Sequence, residues 1–209
     1  MALLQQQVGA PAAASTQSTT VALRAGNMGD TIVSELHGRY YEATKNQTVF
    51  SGSIAGATTS VALTTTYVGL CLSNPVGSGK NIILNKAGYA FTVAFAAGSV
   101  IGLMTGYNSS TNVTHTTPVT PRSQLFGTGA TGVGLLDTSA TLPTAPTLNT
   151  VFGAGLTGAI TTTPFGLGGV VDLEGSIILP PGAYVAFYTS TASGAAGGNF
   201  SFSWEEVAQ

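Results

Sequence analysis

The sequence predicts an all-β protein, an antiparallel β-sandwich of the jelly-roll-like kind that follows an extended N-terminal arm. Three observations support this prediction. The chain has 209 residues, and 44% of them are hydrophobic, which is enough for one buried core. It contains 49 Ser and Thr residues and 28 Gly, and such residues suit strands and tight turns better than helices. Strand-like runs recur at close spacing between Gly, Pro and Asn, which is typical of sandwiches and barrels.

The charge content excludes several function classes. Six Lys and Arg stand against eight Asp and Glu, for a net charge of −2, so the chain cannot build the basic stripe that follows a nucleic-acid backbone. Two His, one Cys and eight acids leave little material for acid–base chemistry, and no Cys or His pair has metal-ligand spacing. We therefore expect no enzyme, no cofactor, no metal site and no nucleic-acid partner.

The chain start and the cysteine indicate the compartment. Cys71 is the single cysteine, so no disulfide can form within the chain. Residues 1–7 lack the basic and long apolar regions of a signal peptide. We expect synthesis in a cytoplasm rather than secretion.

Residues 1–30 are predicted to form an extended arm. This segment is rich in Ala, Gln, Ser, Thr and Gly and shows no sustained helical or strand period. A segment with so little apolar patterning does not fold alone, so we expect it to become ordered only in contact with another chain. Its sizeable apolar anchors are Leu3, Leu4, Val8, Val21, Leu23 and Met28.

Residues 31–209 are predicted to form the sandwich domain. The strand-like runs cover residues 31–36, 39–44, 48–51, 66–73, 81–86, 89–96, 169–179, 183–190 and 199–207. Residues 87–104 carry no charge and approach the length of a membrane span, but their large and small side chains alternate with a period of two, which predicts a buried strand instead. The predicted core includes Val68, Leu70, Leu72, Phe91, Val93, Phe95, Phe202 and Trp204.

Residues 108–164 are predicted to be long loops of the same domain. They contain two Pro-rich stretches, at residues 117–121 and 142–146, and they lack a compact apolar pattern of their own.

Four motifs that could carry chemistry have simpler interpretations. Residues 74–81 resemble a phosphate loop, but Asn74 and Asn81 stand where it needs Gly and Ser or Thr, so a glycine-rich connection between strands is predicted. Residues 137–139 read Asp-Thr-Ser rather than the Asp-Thr-Gly of aspartic proteases, so Asp137 is predicted to make a local turn bond in a loop. His37 and His115 lie far apart in the sequence, so they do not form a pair with metal-ligand spacing. Adjacent Glu205 and Glu206 are predicted to point to opposite faces of a solvated strand end.

Two stretches carry a family resemblance. One runs over residues 60–84 and includes Tyr-Val-Gly-Leu-Cys-Leu-Ser-Asn-Pro. The other covers residues 175–186, with Ile-Ile-Leu-Pro-Pro-Gly-Ala-Tyr, and closes with Phe-Ser-Trp-Glu-Glu at residues 202–206. These stretches resemble the structural proteins of tailed bacteriophages, in particular capsid decoration proteins of the cement, knob or head-fibre kind.

The resemblance extends roughly over residues 35–105 and 165–207. It implies a jelly-roll-like sandwich that assembles as a homotrimer and binds the major capsid protein on the outer surface of the virion. From the alternation within residues 87–104 we expect no membrane partner. A tail, fibre or baseplate component that binds a host surface or glycan is the alternative.

Ten residues are predicted to contact the capsid or other subunits. The arm anchors are joined by Arg and Tyr residues, since these two types are enriched at interface cores. The alternative for the paired tyrosines is that they are simply the two faces of a strand. The predicted contacts are Leu3, Leu4, Val8, Val21, Leu23, Arg24, Met28, Arg39, Tyr40 and Tyr41.

Overall fold

The computed structural model describes residues 38–59, 63–93, 95, 97–155, 168–192 and 197–209. The chain divides into two units, Met1–Tyr41 and Glu42–Gln209. The described residues are almost entirely in strands, which confirms the all-β prediction. Their elements are α1 (Tyr41–Lys45), β1 (Val49–Ala57), β2 (Thr66–Ser73), β3 (Lys80–Phe91), β4 (Ser99–Tyr107), β5 (Thr114–His115), β6 (Pro118–Val119), β7 (Arg122–Ser123), β8 (Leu135–Thr141), β9 (Thr147–Gly155), β10 (Gly168–Asp172), β11 (Ile178–Leu179), β12 (Ala183–Thr189) and β13 (Gly198–Ala208).

Two antiparallel sheets pack face to face as a sandwich. The first sheet has the order β10-β3-β13-β1-β7, with β11 beside β3. The second has the order β5-β8-β2-β12-β4-β9, with β6 beside β8. The strands β9 and β10 therefore lie at the ends of their sheets.

The main core lies between the sheets. Along β13, Phe200, Phe202 and Trp204 are buried and alternate with partly exposed serines, as the sequence pattern predicts. Phe187 of β12 faces them and stacks on Phe200 and Phe202, with ring centroids 4.6 and 4.7 Å apart. These aromatic contacts join the two sheets at their centre, and the predicted core positions Leu70, Leu72, Phe91 and Phe95 belong to the same cluster.

A second, smaller core covers the outer face of the second sheet. Leu72 packs in the main core while its neighbour Cys71 packs in this second cluster, so β2 is buried on both faces. Val113, in the connection between β4 and β5, and Leu142, directly after β8, complete the cluster. Its buried members are Tyr67, Cys71, Met104, Val113, Ala140, Leu142, Tyr184 and Ala186.

The strand predicted over residues 39–44 is wrong, because this stretch contains α1. Ala43 and Lys45 are good helix formers, and Glu42 and Lys45 complement the helix dipole at its two ends. The helix ends where Gln47 takes a left-handed φ of 61°. The predicted run at residues 31–36 and the arm at residues 1–30 lie outside the described residues.

Two predicted core residues are placed differently. β3 ends at Phe91, so the alternation that placed Val93 in the core stops first, and Val93 is 37% exposed. Val68 is only partly buried because a bulge interrupts the pairing of β2 with β8 between Val68 and Cys71. The bulge places Gly69 at a φ of 136°, which an L side chain rarely adopts.

The region predicted as long loops, residues 108–164, contributes two full strands. β8 pairs with β2, and β9 pairs with β4. After its two leucines β8 contains only small or polar residues, and β9 is rich in Thr and Gly, so the strand state of both depends on these partners rather than on a local pattern. The run predicted over residues 169–179 is instead divided into β10 and β11 by a turn at Glu174 and Gly175, whose φ angles are 49° and 80°.

Candidate functional site

The sequence-predicted contact residues fall into two groups. The seven arm residues, Leu3, Leu4, Val8, Val21, Leu23, Arg24 and Met28, lie outside the described residues. The other three are described: the Arg39 guanidinium carbon lies 5.6 Å from the ring centroid of Tyr40, and Tyr41 is exposed in the first turn of α1. The interpretation of the two tyrosines as opposite faces of a strand is therefore wrong.

A buried polar cluster joins three strands of the second sheet. Ser73 ends β2, His115 lies in β5, and Asp137 lies in β8. Ser73 Oγ lies 3.1 Å from His115 Nε2. His115 Nδ1 lies 3.3 Å from Asp137 Oδ2 but lacks the alignment of a hydrogen bond. The strand register thus brings together residues that are far apart in sequence.

Asp137 is the anchor of this cluster. Both of its carboxylate oxygens accept the backbone N–H of Thr117, at 3.0 and 3.1 Å, and Oδ1 also accepts the N–H of Ser139 at 2.6 Å. The predicted local bond is present, but Asp137 lies in a strand with its side chain fully buried, not in a loop. The carboxylate fastens the segment after β5 to β8.

Burial sets the charge state of the groups around Asp137. It lowers the pKa of His115, although the neighbouring carboxylate opposes this shift. It raises the pKa of the Cys71 thiol, an effect that Asp137 reinforces, and it raises the pKa of the Tyr67 phenol. At neutral pH a neutral imidazole therefore lies beside the carboxylate, and Cys71 is a thiol rather than a nucleophilic thiolate.

The cluster contains the three residue types of a catalytic triad for acyl transfer: a serine beside a histidine, and the histidine beside an acid. A nucleophile must be reached by a substrate carbonyl, yet Ser73 is buried within the sheet. Both carboxylate oxygens of Asp137 also accept hydrogen bonds from the backbone N–H of Thr117 in the covering segment. We interpret the cluster as a structural contact that holds the segment after β5 against β8, over the second core.

Glu206 forms a second buried anchor, in the first sheet. Its Oε1 accepts the N–H groups of Val133 and Gly134 at 2.8 and 2.9 Å, and the indole N–H of Trp204 at 3.3 Å. The Nζ of Lys80 lies 3.1 Å from Oε2. The prediction of opposite faces for the two glutamates is confirmed, because Glu205 is partly exposed, but Glu206 is not solvated.

The glycine-rich connection at residues 74–81 links β2 to β3. Lys80 begins a strand, whereas a phosphate loop would be followed by a helix. Asn74 donates from Nδ2 to the carbonyl oxygens of Lys80 and Leu179, at 2.7 and 2.8 Å. The side chain of Asn74 therefore has structural partners on both sides of the connection.

An apolar groove opens on the surface beside β9, and we call it the β9 groove. It encloses about 390 Å³ between the ends of β4 and β9 and the strand β11. Tyr107 and Ile178 flank it and are 56% and 53% exposed. No lining residue is charged; they are Thr105, Gly106, Tyr107, Thr147, Asn149, Ile177, Ile178, Leu179, Pro180 and Ala183.

Two other surface features could contact a partner. A shallow trough of about 600 Å³ crosses the first sheet, with Ser53, Gly88 and Ser201 among its lining residues and Val170, 71% exposed, at its border. Phe126 is 77% exposed in the connection between β7 and β8.

Within the described ranges, no group of three His, Cys, Asp or Glu residues could hold a metal ion. No helix of the described part is both long and apolar enough for a membrane span. Comparison of the chain with protein-family models, curated proteins and solved structures found no match.

Proposed function

We propose that this protein is a structural virion protein that decorates and stabilises a bacteriophage capsid by binding the lattice of the major capsid protein from outside. The observation that carries the proposal is the β9 groove, an uncharged apolar surface on a sandwich with two packed cores. Exposed apolar surface of this kind marks protein interaction sites. The resemblance of residues 60–84 and 175–186 to decoration proteins supports the phage setting.

Assembly as a homotrimer with a jelly-roll-like subunit belongs to the same proposal. The net charge of −2 supports it, because weakly charged copies repel each other little when they crowd on one particle. The major capsid protein and other copies of this chain are the proposed partners, and the outer capsid surface is the proposed location.

Copy number tests this function. The protein would be quantified against the major capsid protein in purified particles of the phage that encodes it, and its position imaged by cryo-electron microscopy. Hundreds of copies on the capsid surface are expected. Absence from the particle, or density confined to the tail, would contradict the proposal.

A tail, fibre or baseplate component that binds a host surface or glycan is the second candidate. Phe126 and Tyr107 favour it, because exposed aromatic side chains are common anchors in binding sites. A few to a few dozen copies on the tail would support this candidate. Loss of adsorption by particles carrying Phe126→Ala would then identify the contact.

A further inference from the structure

We propose that residues 19–23 of a neighbouring copy dock along the β9 edge by strand addition, with Val21 and Leu23 inserted into the β9 groove. The inference deepens the proposed function and rests on its premise that many copies meet on one particle. The β9 edge is then the surface, and residues 19–23 the segment, through which neighbouring copies bind each other.

The edge of β9 supplies the first part of the site. Among the described residues, β9 ends the second sheet, with β4 on its inner side, so part of its backbone N–H and C=O groups face outward without a described strand partner. β9 carries no charged residue and no Pro, the two features that commonly protect an edge. An extended peptide can add to such an edge through main-chain hydrogen bonds.

The groove supplies the second part. Thr147 and Asn149 of β9 line it, so a strand added along this edge passes directly over its opening. Successive side chains of an added strand point to opposite sides, and alternate ones would enter the groove. Its apolar flanks, Tyr107 and Ile178, then select aliphatic side chains.

The chemistry of the N-terminal segment fits this surface. Residues 1–23 contain no charged side chain, which matches a groove whose lining is also uncharged. Within them, residues 19–23 read Thr-Thr-Val-Ala-Leu and place Val21 and Leu23 two positions apart. This spacing puts both on one face of an extended strand, with Thr20 and Ala22 on the other.

The geometry of β9 favours a short segment over the edge of a second sandwich. The pairing of β4 with β9 shifts register twice, between Ile101 and Gly102 and between Leu103 and Met104. Bulges of this kind bend an edge and prevent long, continuous pairing between two sheets. A short segment can follow the bent edge. Tyr107 and Ile178 are exposed among the described residues. The choice of another copy as the donor of the segment rests on the proposed function, in which many copies meet on one particle.

Disulfide trapping between two single variants of the full chain tests this placement. Val21→Cys and Ile178→Cys proteins would be purified separately, mixed and oxidised mildly, and the disulfide-linked peptides identified by mass spectrometry. A covalent dimer that joins positions 21 and 178 is expected. The native Cys71 is buried with a raised pKa, so it does not compete.

The matched control is Thr20→Cys, whose side chain lies on the opposite face of the added strand. Its yield of covalent dimer with Ile178→Cys should be at least tenfold lower. Equal yields from positions 20 and 21, or no dimer from either, would overturn the proposal. An intrachain disulfide at monomer mass in the Val21→Cys/Ile178→Cys double variant would assign the groove to the chain's own segment and would also overturn it.

Self-association provides a second measurement. Ile178→Ser changes an exposed side chain, so the variant should keep its circular dichroism spectrum while its dissociation constant for self-association rises at least tenfold in sedimentation. Val170→Ser, on an exposed position outside the groove, should leave this constant unchanged; equal effects would contradict the proposal. Both experiments use purified protein without particles. A negative result in them would contradict the docking of residues 19–23, whereas the copy-number test examines the proposed function separately.

Discussion

At the residue scale, two buried carboxylates hold connections onto the sheets. Asp137 fastens the segment after β5, and Glu206 fastens the connection before β8. A buried carboxylate that accepts several N–H groups leaves those donors without partners when it is lost. Each of these acids therefore stabilises a covering segment.

Replacing Asp137 by Asn should lower the free energy of unfolding by about 1–3 kcal/mol, because an amide nitrogen then faces backbone donors. Urea denaturation at pH 7 would measure the loss. Asp172→Asn is the matched control, since Asp172 is half exposed in a surface ion pair with Lys86. The control should change the free energy by about 0.5 kcal/mol or less. Similar losses in the two variants would contradict the role of Asp137.

Stability should also depend on pH through His115. Because burial lowers the pKa of His115 from its ordinary 6.5, the unfolded chain binds more protons than the folded chain as the pH falls through 6.5. The free energy of unfolding should therefore decrease between pH 7.5 and pH 5. In His115→Gln this contribution disappears, so the stability of the wild type relative to the variant should be lower at pH 5. A difference that stays constant over this range would contradict the prediction.

At the element scale, β9 closes the open side of the sandwich. Its Phe152 stacks on Tyr89 of β3 with ring centroids 5.6 Å apart and meets Phe187 of β12 at 6.5 Å. The bulges in the pairing with β4 accompany this inward turn of Phe152 in an otherwise exposed strand. The position of β9 therefore depends on its close approach to β4.

Gly102→Ala should disturb this approach. A Cβ at Gly102 would overlap the carbonyl oxygen of Thr150, which is backbone and cannot rotate away. We expect a loss of about 1–3 kcal/mol in the free energy of unfolding, typical of overpacking. Faster amide hydrogen exchange in β9 should accompany it.

Gly153→Ala, on β9 itself, is the control for this variant. Nothing lies within 4 Å of a Cβ at this position, so the variant should be neutral or slightly more stable than the wild type. A loss at Gly153 equal to that at Gly102 would show that glycine flexibility, rather than close approach, is the feature that matters.

At the scale of the whole molecule, the sandwich should fold without the arm. Every described residue of the main core and of the second core lies within Glu42–Gln209. Deletion of residues 1–30 should therefore leave the β-type circular dichroism spectrum and the urea midpoint of the diluted protein unchanged. The truncated protein should no longer occupy undecorated particles in a sedimentation assay. Full occupancy would assign attachment to the sandwich instead of the arm.

The order of residues along the chain is enough to predict the fold class and the strands with a clear alternation. In β13 aromatic residues alternate with serines. This period of two predicts which face of the strand points into the core. The buried residues Leu70 and Leu72 of β2 were found for the same reason. Composition also indicated correctly that strands rather than helices dominate.

Contacts between distant segments establish which weakly patterned segments become strands and which polar groups are buried. β8 and β9 have no decisive local signal and are fixed by hydrogen bonds to β2 and β4. The cluster of Ser73, His115 and Asp137 forms because sheet order and register place three distant segments side by side. Burial of Asp137 and Glu206 depends on which connections fold over them. These are long-range pairings, and neither composition nor periodicity within one segment encodes its distant partner.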